Sequence, residues 1–151
     1  MTFSTVSYEG PTVVSNGILA AKSTAELESA VVKFETSRQP GYQPDQACPT
    51  PCWWLVRTDD PRLLYVAVAT LSWGCDTTVK EGTAIAGQTL YVIHWISSPS
   101  QTRCDAAQAT RWRLLSVSRR DLPAAGVLTI QLQLQGSNPN SNAAESQVEL
   151  S

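Results

Sequence analysis

The chain is poor in charge and poorer still in residues that do chemistry. Only 16% of its 151 residues are Asp, Glu, Lys or Arg, it has one histidine and one methionine, and its formal net charge is −2. So little charge, beside a hydrophobic fraction of 42%, excludes a disordered polyelectrolyte and leaves enough apolar material for a core. A pI near 5.3 excludes binding of nucleic acid or an anionic membrane by bulk charge, because a slightly acidic surface does not attract phosphate. Long apolar runs are missing too. No stretch approaches the roughly 18 to 20 residues of a transmembrane helix, and Met1-Thr2-Phe3-Ser4-Thr5 has neither the basic start nor the apolar centre of a signal peptide. The chain reads as soluble and globular, compatible with a processed secreted form that carries an added Met1. G-x-S-x-G, the P-loop and G-x-G-x-x-G are all absent, so the sequence offers no nucleophile elbow and no nucleotide cradle.

What it does have is four cysteines, Cys48, Cys52, Cys75 and Cys104. An even count at separated positions suits two disulfides in an oxidising compartment, and four cysteines allow three pairings. We expect Cys75 with Cys104, across a 28-residue gap, and Cys48 with Cys52, closing the loop CPTPC. Each bridge would contribute about 2 to 4 kcal/mol. A structural zinc site wants repeated short Cys or His spacings, and these cysteines do not supply them. No metal or cofactor is therefore expected.

The pattern along the chain is mainly β, with one domain over 1–135. Phe3 to Tyr8 reads as a first strand. Val13 to Ala20 carries Asn16-Gly17 and reads either as a tight hairpin or as a bulged strand. Ser23 and Glu26 form a capping box, and Leu27, Ala30, Val31 and Phe34 then fall on one face, which predicts an amphipathic helix over Thr24 to Thr36. Ser37 to Pro51, with four prolines, is a loop. Strands follow at Trp53–Thr58, Leu63–Leu71, Thr77–Ala84, Leu90–Ser97, Trp112–Ser118 and Val127–Gln135. In the last of these, Leu128, Ile130, Leu132 and Leu134 alternate with Thr129, Gln131, Gln133 and Gln135, so one face is buried and one is wet. Gly136 to Ser151 is small, polar and turn-prone, and is expected as a flexible C-terminal tail. The expected architecture is an antiparallel β-sandwich or barrel with one N-terminal helix, stapled by disulfides.

Candidate site residues follow from residue type. Alternation places His94 opposite Ile93 and Trp95, as a half-exposed strand histidine. The carboxylates Asp59, Asp60, Asp76, Glu81, Asp105 and Asp121 are expected in turns or at strand ends, and no spacing among them demands paired-carboxylate chemistry. Arg103, Arg111, Arg113, Arg119 and Arg120 concentrate positive charge, and Arg111 and Arg113 flank Trp112 so as to point outward together. Five tryptophans stand against four tyrosines and two phenylalanines. Of these, Trp53, Trp54, Trp73 and Trp112, with Arg111 and Arg113, form the expected binding surface, since Trp and Arg are over-represented at binding hot spots. The bland reading of the same tryptophans is core packing.

The segments TVVSNGILAAKSTAELESAVVKF, LLYVAVATLSWG and LYVIHWISSPSQTRCDAAQATRWRLLSVSRRDLP, in that order over Thr12 to Pro123, resemble the C-terminal domain of the PrcB-like proteins, bacterial secreted protease-complex subunits. Trp73-Gly74-Cys75-Asp76 stands where that family carries a Thr-Gly-Gly-Tyr turn, and CPTPC with Trp53-Trp54 lies outside its pattern. The resemblance implies a secreted or envelope-associated, non-catalytic module that binds or stabilises another protein, a protease among the candidates. Three other classes compete: a carbohydrate-binding module with Trp platforms, a small hydrolase built on His94, and a structural subunit of a surface assembly.

Overall fold

The structure is a computed structural model that describes residues 5–10, 16–38, 60–73, 77–97, 108–136 and 144–150. Its elements are β1 (Thr5–Gly10), β2 (Gly17–Ala21), α1 (Thr24–Arg38), β3 (Leu63–Trp73), β4 (Thr77–Ala86), β5 (Thr89–Ser97), β6 (Gln108–Ser118), β7 (Val127–Gly136) and β8 (Ala144–Glu149). A short 3-10 turn, Arg119–Asp121, follows β6. The strands form two four-stranded sheets, β1-β6-β3-β2 and β4-β5-β7-β8. The fold is mainly β with one helix, as the sequence implies, and neither sheet closes into a barrel.

Side-chain alternation explains the layering. In β3, Leu64, Val66 and Val68 face the second sheet, where they meet Val92 of β5 and Ile130 and Leu132 of β7. Tyr65, Ala67 and Ala69 face the other way and meet Leu27, Val31 and Phe34 of α1. Both faces of β3 are thus buried, and its six residues from Leu64 to Ala69 are apolar without a break. In the second sheet only the inner face is covered by the first. β7 therefore alternates leucine and isoleucine inside with threonine and glutamine outside.

The helix starts where its cap predicts. The Glu26 amide donates to Ser23 Oγ at 3.2 Å, which satisfies one of the amides left over at a helix start, and the Leu27 amide donates to the Ser23 carbonyl at 3.1 Å as the first bond of the helical ladder. The helix continues to Arg38, two residues past the expected end. It lies close against β2 because Gly17 has no side chain: a Cβ there would sit 2.4 Å from Cζ of Phe34. The Asn16-Gly17 ambiguity resolves accordingly, with Gly17 opening β2 rather than turning a hairpin within it.

Three expectations about the fold are corrected. The sheets are not wholly antiparallel, because β5 and β7 pair in parallel, Thr89 with Thr129 through Ile96 with Gly136. The cause is the chain path: after β5 the chain crosses to the first sheet as β6 and then returns beside β5. The presumed flexible tail at 136–151 supplies β8, antiparallel to β7, and Leu150 is buried. Small and apolar Ala144, Ser146, Val148 and Leu150 alternate with Glu145, Gln147 and Glu149, a period-two pattern that overall polarity conceals. Glu81 lies inside β4, paired with His94, rather than in a turn or at a strand end. The strand expected at Trp53–Thr58 and most of the proline-rich loop lie outside the described residues.

Candidate functional site

Among the described residues, charged side chains gather in two places. The first is a groove of about 640 Å³ between the turn that enters β3 and the 3-10 turn that leaves β6, lined by Asp60, Pro61, Arg62 and Leu63 on one side and by Ser118, Arg119, Arg120, Pro123 and Ala124 on the other. The two segments are distant in sequence but adjacent in space because β3 and β6 are antiparallel partners, Leu63 opposite Ser118. A bond from the Arg119 amide to the Arg62 carbonyl, 2.8 Å, closes the end of the ladder. Asp60 organises its turn. Its Oδ1 accepts from the Arg62 amide at 2.9 Å, its own amide donates to Tyr65 Oη at 2.8 Å, and its Oδ2 accepts from Arg62 Nη2 at 2.8 Å. The Arg62 guanidinium, chiefly through its side-chain bond, holds the Asp60 carboxyl below the ordinary carboxylate range. Arg119 turns its Nη2 onto the Leu150 carbonyl, which ties the end of β8 to this corner. Arg120 is exposed and makes no hydrogen bond or ion pair among the described residues. The groove thus sets three arginines against one carboxylate, on a chain whose net charge is negative.

The second place is between the sheets. Glu81 of β4 and His94 of β5 are cross-strand partners, and Arg113 of β6 reaches them from the opposite sheet. Arg113 Nε and Glu81 Oε1 form an ion pair. His94 Nε2 lies 3.9 Å from the same carboxylate oxygen, beyond hydrogen-bond length, and neither ring nitrogen has a hydrogen-bond partner among the described residues. Burial first, and the positive charge of Arg113 second, push the His94 imidazole down to about 4, so it is neutral at pH 7. A wholly buried imidazole cannot reach substrate as it stands, and the arrangement is chemically a cross-sheet ion pair with a neutral histidine beside it.

The sequence expectation for His94 is therefore corrected. It shares its face with Leu90 and Val92, and that face is the inner one; Ile93 and Trp95 are outside and half-buried. Both faces of LYVIHWIS are apolar, so alternation sets the period but not its phase. Arg113 is corrected as well: with Leu115 and Val117 it faces the second sheet, not the solvent. Arg111 and Trp112 occupy β6 opposite Thr70 and Ala69, and Trp73 ends β3 opposite Gln108. Trp53, Trp54 and the cysteines Cys48, Cys52, Cys75 and Cys104 lie outside the described residues, as do Asp59, Asp76, Arg103 and Asp105. Of the six residues of the expected Trp and Arg surface, Arg113 is the one whose side chain is among those described. Sequence reasoning missed Arg62 and the groove, although Arg119-Arg120 beside a Leu-Pro stop was visible. It also missed Trp95, which covers Gly82 on the outer face of β4, where a Cβ would lie 3.3 Å from the indole.

Among the described residues no group of three or more His, Cys, Asp and Glu could hold a metal ion, and no helix is long and apolar enough to cross a membrane. Comparison with family models, with curated proteins and with solved structures finds no match.

Proposed function

We propose that this chain is a non-catalytic, extracytoplasmic module that binds or stabilises another protein. The observation that supports the reading best is the arginine groove. It is concave, it combines Pro61, Leu63 and Pro123 with three guanidinium groups, and arginine beside apolar surface is the composition of protein-binding hot spots. Arginine presents a planar fork of donors that matches carboxylates, so the groove favours a partner that brings acidic side chains. A protease is the partner class that the resemblance implies. In this reading the four cysteines form two disulfides, Cys75 with Cys104 and Cys48 with Cys52, and the mass of the native protein rises by that of four hydrogens on reduction. Four thiols already free in protein made under oxidising conditions would remove the secreted assignment.

The binding reading is tested by immobilising the protein and exposing it to the extracytoplasmic fraction of its source, beside an Arg120→Glu variant. A partner retained by the native chain and released by the variant supports it. Equal retention by both places the partner elsewhere, and retention of nothing overturns the reading. Arg120 is chosen because, unlike Arg62 and Arg119, it holds no part of the fold together among the described residues.

A further inference from the structure

The three arginines of the groove are not equally available. Asp60 takes both Nε and Nη2 of Arg62, at 3.0 and 2.8 Å, and the Leu150 carbonyl takes Nη2 of Arg119. Arg120 is exposed and makes no hydrogen bond or ion pair among the described residues, so of the three it offers the whole guanidinium fork. One free fork matches one carboxylate. The Asp60 carboxylate, part of the same lining, repels a second negative charge. Beside the charges, Pro61 and Leu63 on one side and Pro123 and Ala124 on the other supply apolar surface. That surface continues past the groove. Val127, three residues beyond Ala124, is 48% exposed, the one large hydrophobic side chain so placed among the described residues. It is held at the same corner, because Arg119 bonds the Leu150 carbonyl and the Leu150 amide donates to the carbonyl of Gly126, the residue before Val127.

On the protein-binding reading of the groove, we propose that its ligand is an extended segment of the partner with a single carboxylate beside apolar residues, the carboxylate on Arg120 and its apolar neighbours on Pro123 and Val127. A cleft of about 640 Å³ between two turns takes a few side chains and not the flat face of a folded domain, so the ligand enters as exposed chain. Apolar flanks add binding energy that a charge pair in water lacks, since an exposed ion pair alone contributes little. A polyanion is disfavoured twice, by the single free fork and by the net charge of −2.

The test applies the labelled full chain to an array of immobilised decapeptides. The central residue is glutamate, glutamine or phosphoserine, and the flanks are drawn from leucine, valine and proline or from serine and glycine. We expect binding to peptides with central glutamate and apolar flanks, about tenfold tighter in solution than to their glutamine or serine-glycine counterparts. Arg120→Glu should remove that binding. Val127→Thr, which keeps the β-branched shape of the strand residue, should weaken it several-fold, and both variants should melt with the native chain. Binding to no central-glutamate peptide overturns the proposal, as does binding that the glutamine or serine-glycine peptides retain in full. Tighter binding to phosphoserine overturns the single-carboxylate class. Should the immobilised chain retain a partner through Arg120 while every peptide fails, the extended segment is refuted and the protein-binding reading stands. Failure of the peptides together with retention of no partner removes both.

Discussion

The two charged clusters use the same chemistry, an arginine on a carboxylate, in opposite settings. Asp60 and Arg62 lie two residues apart in one turn, and the Arg62 side chain is 85% exposed. Glu81 and Arg113 come from different sheets, and the Glu81 side chain is 9% exposed. The wet pair costs little to form and contributes little, because water and salt compete for both partners. The dry pair has surrendered most of its hydration, Glu81 more than Arg113, so removing one partner leaves the other poorly solvated. What differs is not the contact but what replaces it when it is lost. For the first pair that is water; for the second it is a charge stranded between two sheets.

The contrast breaks most directly at Arg113. Arg113→Met should destabilise the protein by about 3 kcal/mol, the low end for a broken buried pair because the Arg113 side chain is not fully buried. Urea denaturation reads this as a lower midpoint at unchanged slope. The double variant Glu81→Leu/Arg113→Met should recover most of the loss, since no charge is then stranded. A single variant as stable as the native chain would show that the pair is not desolvated.

His94 sharpens the same contrast through pH. Its folded value of about 4 lies below its ordinary 6.5, and the groups that face it among the described residues are Glu81 from β4 and Arg113 from β6. Above pH 6.5 the ring is neutral whether folded or unfolded and contributes nothing to pH dependence. As pH falls from about 6.5 to 4 the unfolded chain takes the proton first, so stability declines, by an amount on the order of 3 kcal/mol. His94→Leu should flatten that slope between pH 7 and 4, as measured by unfolding midpoints. An unchanged slope would assign it to other groups.

The strands were legible wherever one face is wet, as in β7, where Gln and Leu alternate. The helix was legible from its cap. The phase of β5 was not, because Leu90, Val92 and His94 compete with Tyr91, Ile93 and Trp95 for the inside, and only the partner sheet decides between them. β8 was hidden for a different reason: its inward residues are mostly small, and it is held by pairing with β7 and by the burial of Leu150 more than by its own pattern. The groove could not be read at all, since Arg62 and Arg119 meet only through the register of β3 on β6. Glu81 was seen as a loose carboxylate because its partner, Arg113, arrives from the other sheet.

The smallest effect is expected at Asp60, and it carries the other half of the comparison. Asp60→Asn keeps an oxygen able to accept from the Arg62 amide, so the turn persists while the charge is lost. Because the native carboxyl is held below its ordinary range, it adds stability at neutral pH that is lost as pH falls through the lowered value. The Arg62 guanidinium that holds it is largely in water, which makes that contribution slight. The melting temperature of Asp60→Asn should stay within experimental error of the native one from pH 5 to 8. The carboxyl resonance of Asp60 in the native chain should titrate below the ordinary carboxylate range, and Arg62→Ala should move it back only part of the way, because the amide of residue 62 still donates to Oδ1. A melting-temperature loss rivalling that of Arg113→Met would mean that the exposed pair, and not the buried one, holds the sheets at this corner. The distinction between wet and dry pairs would then fail for this fold.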